Sequence, residues 1–182
     1  MKIIVPLAEG FEEIEAVTII DVLRRAGLDT TGAGIGESPV RGSHAIALSA
    51  DEPIQGLDPA DFAAIVLPGG MPGSENLRRS ETVISFIRNI HQRGGVVAAL
   101  CAAPLVLGHA GVLEGRRATC YPGFEDTMKG ATPTGAPVEV DGTIITGRGP
   151  GCAIPFALAL VEALAGKTMM KELRDAMQVY WM

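Results

Sequence analysis

The chain has 182 residues, 47% of them hydrophobic, with a formal net charge of −6 and no clustered run of lysine and arginine. That length suits one domain, 1–182, whose core needs no disulfide staple. The acidic balance argues against nucleic acid or an anionic membrane as the main partner, because both require a basic face. No apolar stretch approaches the roughly 18 residues of a membrane span, and the N-terminus lacks the charged-then-apolar pattern of a secretory signal. Three cysteines, Cys101, Cys120 and Cys152, form neither an even disulfide framework nor a close metal-binding pair. A reducing cytoplasm is the expected setting, with small molecules or proteins as partners.

In chain order, Lys2–Leu7 reads as a buried strand, and the loop Ala8-Glu9-Gly10-Phe11 leads into a helix from about Glu12 to Ala26, stopped by Gly27. At about 100° per residue, Ala16, Ile19, Val22, Leu23 and Ala26 share one arc. Glu15 falls inside that apolar arc, where a bare carboxylate must pair, take up a proton or face a cleft. Glu12 lies on the same arc one turn earlier, so angle alone does not choose between the two. For Glu12 and Glu13 a simpler reading is a favourable charge at a helix N-terminus. Leu28–Ala33 supplies a second strand, and residues 34–48 read as an exposed hairpin or sheet-edge excursion. Pro53–Phe62 is a connection with turn chemistry at Asp58-Pro59-Ala60-Asp61. Ala63–Leu67 is another buried strand, ending in Pro68-Gly69-Gly70, where a double glycine lets the backbone turn tightly and aim an N–H inward.

Glu81–Arg93 is an amphipathic helix closed by Gly94, and it feeds the apolar run Val96–Leu100, which reads as a central strand buried on both faces. Cys101 follows, flanked by Ala99, Ala102 and Ala103, and Pro104 suits the first turn of a helix that ends at Gly111. This is a strand-to-helix elbow. Small neighbours permit the sharp bend, and the unpaired N–H groups beyond it bias a thiol towards thiolate. The plainer alternative is a buried cysteine serving as a small hydrophobe. Arg117-Ala118-Thr119 begins a short strand into Cys120-Tyr121-Pro122-Gly123. Asp141-Gly142 between two apolar runs is a strong hairpin signal. Gly147-Arg148-Gly149-Pro150-Gly151 turns into an apolar helix over Ala153–Leu164, and Met169–Met177 forms a last short one. Strands alternating with helices give an α/β fold: a mostly parallel, doubly wound sheet covered on both faces.

Three segments then converge at one sheet edge: the glutamate-bearing turn, Gly69-Gly70 and Cys101. Open sheets of this kind bind ligands there. A cysteine nucleophile, a carboxyl group to hold its proton and backbone donors for an oxyanion suit addition to a carbonyl. No histidine is placed as the base. His109 lies about 12 Å further along the helix at the usual rise, and His44 and His91 read as surface residues. Arg24 and Arg25 read as solvated, Cys120 and Cys152 as structural, and Tyr180-Trp181 as a cover for an apolar patch or a neighbouring subunit.

The segments Gly10-Phe11-Glu12-Glu13-Ile14-Glu15, Leu67-Pro68-Gly69-Gly70, Ala98-Ala99-Leu100-Cys101-Ala102-Ala103-Pro104 and Gly147-Arg148-Gly149-Pro150-Gly151 resemble, in order and spacing, the ThiJ/PfpI superfamily and its deglycase-like subgroup. The resemblance implies a flavodoxin-like three-layer α/β/α sandwich, of the class I glutamine amidotransferase-like kind, and a homodimer. It also implies Cys101 as the reactive thiol and Glu15 as its carboxylic acid. Gly70, with Ala102 and Gly69 as further candidates, would bind an oxyanion. The activity implied is that of a glyoxalase or deglycase acting on methylglyoxal, glyoxal or their early adducts on amino and thiol groups, with no metal or organic cofactor. The chain departs from the family in having Tyr121 where animal members carry a histidine, leaving Tyr121 as a possible auxiliary group. It has Ala102 where the protease-like branch carries its histidine, which argues against a Cys-His peptidase. The competing readings are a cysteine-based oxidative-stress sensor or redox-regulated chaperone, and an interaction domain with a vestigial elbow.

Overall fold

The computed structural model describes residues 1–180. In chain order the elements are β1 (Lys2–Leu7), α1 (Glu13–Arg25), β2 (Asp29–Gly34), β3 (Val40–Arg41), β4 (Ala47–Leu48), β5 (Glu52–Pro53), β6 (Phe62–Leu67), α2 (Gly73–Arg79), α3 (Glu81–Gln92), β7 (Val96–Leu100), α4 (Pro104–Ala110), β8 (Arg117–Ala118), β9 (Thr132–Pro133), β10 (Val138–Asp141), β11 (Ile144–Gly147), α5 (Ala153–Ala165) and α6 (Lys167–Ala176). Seven strands form one sheet in the order β10-β11-β7-β6-β1-β2-β5, and only β10 runs antiparallel to its neighbour. The apolar runs in β1, β6 and β7 are buried on both faces, as parallel strands between two helical layers must be. One core holds β1 residues Ile3 and Val5 against α1 and α5, with Leu23 and Phe156 among its members. The other places Ile4 and Ile65 against α3 and α4, with Ile87 and Val106. Two cores on opposite faces of one sheet make the flavodoxin-like, three-layer α/β arrangement.

The chain leaves β1 in one direction to β2 and later returns on the other side to β6, so the topological switch point lies between β1 and β6. The crevice at the carboxyl ends of the strands opens there. Asp141-Gly142 closes the β10–β11 hairpin, and residues 40–48 form the small antiparallel hairpin β3–β4 with its tip exposed. Three elements have no counterpart in the sequence reading: edge strand β5, helix α2, and β9 pairing with β8. No helix of the described residues is long and apolar enough to cross a membrane.

Candidate active site

The loop after β1 is held between two neighbours. Gly10 N–H donates to Arg41 O at 2.8 Å and Ser43 N–H to Phe11 O at 2.8 Å on the hairpin side, while Glu12 N–H donates to Gly69 O at 2.9 Å on the other. Gly70 has φ +90, and a Cβ there would run into the backbone of Gly10, Phe11 and Glu12. Only glycine satisfies both demands.

Cys101 lies one residue past β7. Its N–H donates to Gly147 O at 2.9 Å and its carbonyl accepts from Tyr121 N–H at 2.8 Å, so both backbone groups are satisfied by neighbouring segments. Between them the residue is held at φ 62, in the left-handed region an L side chain rarely occupies. The sulfur lies beside the backbone N–H groups of Gly70 and Ala102, which favour its anion, and beside the carboxyl group of Glu15, which opposes it. Glu15 is fully buried. Its Oε2 accepts Gly69 N–H at 2.7 Å, while Oε1 has no hydrogen-bond partner of its own. A Cβ on Gly69 would stand 2.7 Å from Cys101 Cβ and 2.8 Å from Glu15 Oε2, so that glycine is the gap through which acid and thiol share one pocket. Gly69 therefore positions the acid, and Gly70 and Ala102 serve the sulfur.

The expected bias towards thiolate is corrected by this burial. Desolvation, with the Glu15 carboxylate beside it, pushes the Cys101 thiol up to about 12, against the two backbone N–H groups that favour the anion. Burial also pushes Glu15 up to about 7, against the Gly69 and Cys101 hydrogen bonds. Each group resists charge while the other is charged, so between about 7 and 12 the pair holds one proton. Ionising the sulfur then means moving that proton onto Glu15.

The neighbouring glutamates are used differently. Glu12 is the N-cap residue of α1 and Glu13 opens the helix, yet neither is merely a charge at its N-terminus. Glu13 Oε1 accepts the backbone N–H groups of His44 at 2.7 Å and Ile46 at 3.2 Å, pinning the hairpin tip to α1. No sequence pattern links Glu13 to a partner 31 residues away. Tyr121 is exposed, and its ring packs edge-on against Phe124 with centroids 6.5 Å apart. His44 and His109 are exposed, but His91, expected at the surface, is half-buried with Nδ1 unpartnered. Arg24 is tied to Thr30 O and Asp51, and Arg25 to Asp21, so both are engaged locally at the surface. Cys120 is buried and Cys152 half-buried at the start of α5, and all three cysteines are free thiols. Tyr180 is exposed rather than covering a patch, and Trp181 lies outside the described residues.

A doubly wound α/β sheet with a strained cysteine elbow at its switch point, backed by a buried acid and two backbone donors, defines a class of thiol-bearing proteins. Residues 1–163 match the DJ-1/PfpI family, and the chain belongs to that family. Protein DJ-1 homolog B of Arabidopsis thaliana is 41% identical over 169 residues, which are 91% of this chain but only 39% of that longer protein, so the chain spans about two fifths of its length. A deglycase of Pyrococcus abyssi is 33% identical over 166 residues, covering 90% of this chain and 99% of that one. The solved structure of oxidized DJ-1 from Toxoplasma gondii superposes with a TM-score of 0.92 at 37% identity, covering 98% of this chain and 99% of that chain.

Proposed function

We propose that this protein is a cofactor-independent glyoxalase or protein deglycase that uses Cys101 as nucleophile and Glu15 as proton carrier. The observation that carries the reading is the fully buried Glu15 carboxyl standing beside Cys101 across Gly69, with Cys101 on a left-handed turn at the end of β7. The relative from Pyrococcus abyssi named a deglycase supports it. With methylglyoxal, the sulfur attacks the aldehyde carbon as its proton passes to Glu15. A C–S bond forms, and the carbonyl electrons move to an oxygen that Gly70 and Ala102 can face and Glu15 can protonate. As a carboxylate again, Glu15 removes the C1 proton and returns it at C2 while the C1 hydroxyl proton passes to the C2 oxygen, so the aldehyde carbon is oxidised and the ketone carbon reduced within one molecule. Water then cleaves the resulting thioester, releasing lactate and the thiol. No external oxidant or reductant enters the balance. A glyoxal hemiaminal on a protein amine would follow the same route, with the amine as an additional leaving group.

A homodimer belongs to the same proposal. Ile14, Val17 and Ile46 are 59%, 48% and 62% exposed, and the Ile46 N–H bond to Glu13 brings the hairpin tip beside this face of α1. An apolar surface so placed suits a second copy of the chain.

The second reading, an oxidative-stress sensor, is favoured by the solvent access of Cys101, buried but not sealed at 8% exposed, and by the relative solved in an oxidized form. The N–H groups that stabilise a thiolate would equally hold sulfinate oxygens. Incubating purified protein with methylglyoxal separates the two. Sustained lactate formation that disappears in Cys101→Ser supports the enzyme. No turnover, with a clean two-oxygen mass gain at Cys101 under mild peroxide, supports the sensor.

A further inference from the structure

Both backbone groups of Cys101 lean on neighbouring segments, and the two supports are not equally well held. The Cys101 N–H donates to Gly147 O. Gly147 ends β11, in register with Leu100 of β7 on one side and Val138 of β10 on the other, so the sheet fixes it twice. The Cys101 carbonyl accepts Tyr121 N–H, and Tyr121 lies beyond the end of β8, in no strand. Between β8 and Tyr121 stand only Thr119 and Cys120. Among the described residues, their backbone groups form a single hydrogen bond, from Thr119 N–H to Thr146 Oγ1 at 2.9 Å.

Thr146 is the β11 residue immediately before Gly147 and is fully buried, and Thr119 is 1% exposed. Valine would fill the same space without the cost of burying a hydroxyl, so packing does not explain the oxygen. Thr119 offers no substitute, because its own Oγ1 is buried without a partner. Without Thr146 Oγ1, the Thr119 N–H would be a buried donor left bare, a penalty that a loop relieves by moving. Movement there withdraws Tyr121 N–H from Cys101 O, one of the two bonds that keep Cys101 at φ 62. A residue in the left-handed region persists only where its surroundings over-determine it.

We propose that Thr146 is a positioning residue for Cys101: through its side chain and through the carbonyl of the next residue, one strand holds both ends of the strained turn. This rests on the reading of Cys101 as the reacting group. Thr146 touches no substrate. It keeps the sulfur beside the Gly70 and Ala102 N–H groups and the Glu15 carboxyl.

The test is a double-mutant cycle on the full chain, read as the pH dependence of Cys101 alkylation by iodoacetamide. Mass spectrometry of the modified peptide keeps Cys120 and Cys152 out of the readout. In the parent, Glu15→Gln should shift that titration, because acid and thiol share one pocket. In Thr146→Val the same change at Glu15 should shift it by less than about half as much, since the sulfur no longer stands against the carboxyl. Thr146→Ser should keep the full response. Methylglyoxal turnover should follow, with kcat down on the order of 10–10²-fold in Thr146→Val at a KM within a factor of about two, and recovered in Thr146→Ser. Ile144→Val trims the same face of the same strand, and should lower the melting temperature while leaving both readouts at parent values. Should valine prevent folding, Thr146→Ala and Thr146→Ser lose the same methyl group and differ only in the hydroxyl, and the coupling should survive in serine alone. An undiminished Glu15 response in folded Thr146→Val overturns the proposal, as does a serine variant that loses the response along with valine. The titration needs no turnover, so it judges Thr146 even where methylglyoxal is not consumed, an outcome that counts against the glyoxalase reading alone.

Discussion

Glu13 and Glu15 stand two residues apart on one helix, both buried, and their titrations are driven in opposite directions. Burial pushes Glu13 up, but its own backbone N–H, the His44 side chain and the His44 and Ile46 N–H groups more than offset this and leave it below the usual carboxylate range. Glu15 is enclosed more deeply, with no exposure against 6% for Glu13, and has a single backbone donor, from Gly69, so it stays raised. Burial therefore does not mark a carboxylate as functional. What separates the two is depth of burial together with the number of donors the fold has already committed: the well-supplied Glu13 stays charged and holds structure, whereas the deeper, under-supplied Glu15 retains its proton to higher pH beside Cys101.

The largest effect should come from Glu15→Gln, which keeps the shape and removes the proton carrier: methylglyoxal turnover should fall by roughly 10²–10⁴. The same variant tests the titration. The folded protein keeps the Glu15 proton up to about 7 and the open chain only to 4.5, so the fold binds the extra proton between these values. Stability from this group is complete below 4.5 and is lost as pH rises through 7, by about 3 kcal/mol. Urea unfolding at pH 5 and pH 8 should show that decline in the parent and its absence in Glu15→Gln. Gly69→Ala should come next. Its methyl would fall between Cys101 and the Glu15 carboxyl, and the misplacement should reduce turnover on the order of 10–10²-fold while the circular dichroism spectrum is retained.

Glu13→Gln sharpens the contrast from the other side. Losing an acceptor for several donors should cost about 1–3 kcal/mol of stability in denaturant titration. Thiol titration of Cys101 should stay put, and a shift as large as in Glu15→Gln would erase the distinction between the residues. Tyr121→Phe should do least. The residue is exposed, and turnover should change by no more than a factor of about two, as for surface substitutions worth up to about 0.5 kcal/mol.

The frame of the fold was legible because it rests on local signals. Continuous apolar runs announced β1, β6 and β7, and the Asp141-Gly142 turn announced β10–β11. Glu15 and Cys101 were legible for a related reason: each breaks an apolar pattern that its element otherwise keeps. The missed pieces lack such patterns. Helix α2, Gly73–Arg79, buries little beyond Ser74 and Leu77 and is braced by Glu75 pairing with Arg78 and Arg79, while β5 is two exposed residues added at a sheet edge. The hairpin anchor at Glu13 depends on a partner distant in sequence. The raised thiol pKa was hidden because desolvation belongs to what packs around Cys101, and no helical wheel or elbow motif reports that.

The left-handed backbone at Cys101 carries one more implication. An L residue there costs on the order of 1 kcal/mol, which a glycine would recover. A chain selected only for its melting point would drift towards glycine at this corner and lose its sulfur. Cysteine at that spot keeps the native state slightly below its attainable stability, in the one place where relaxation and reactivity pull against each other.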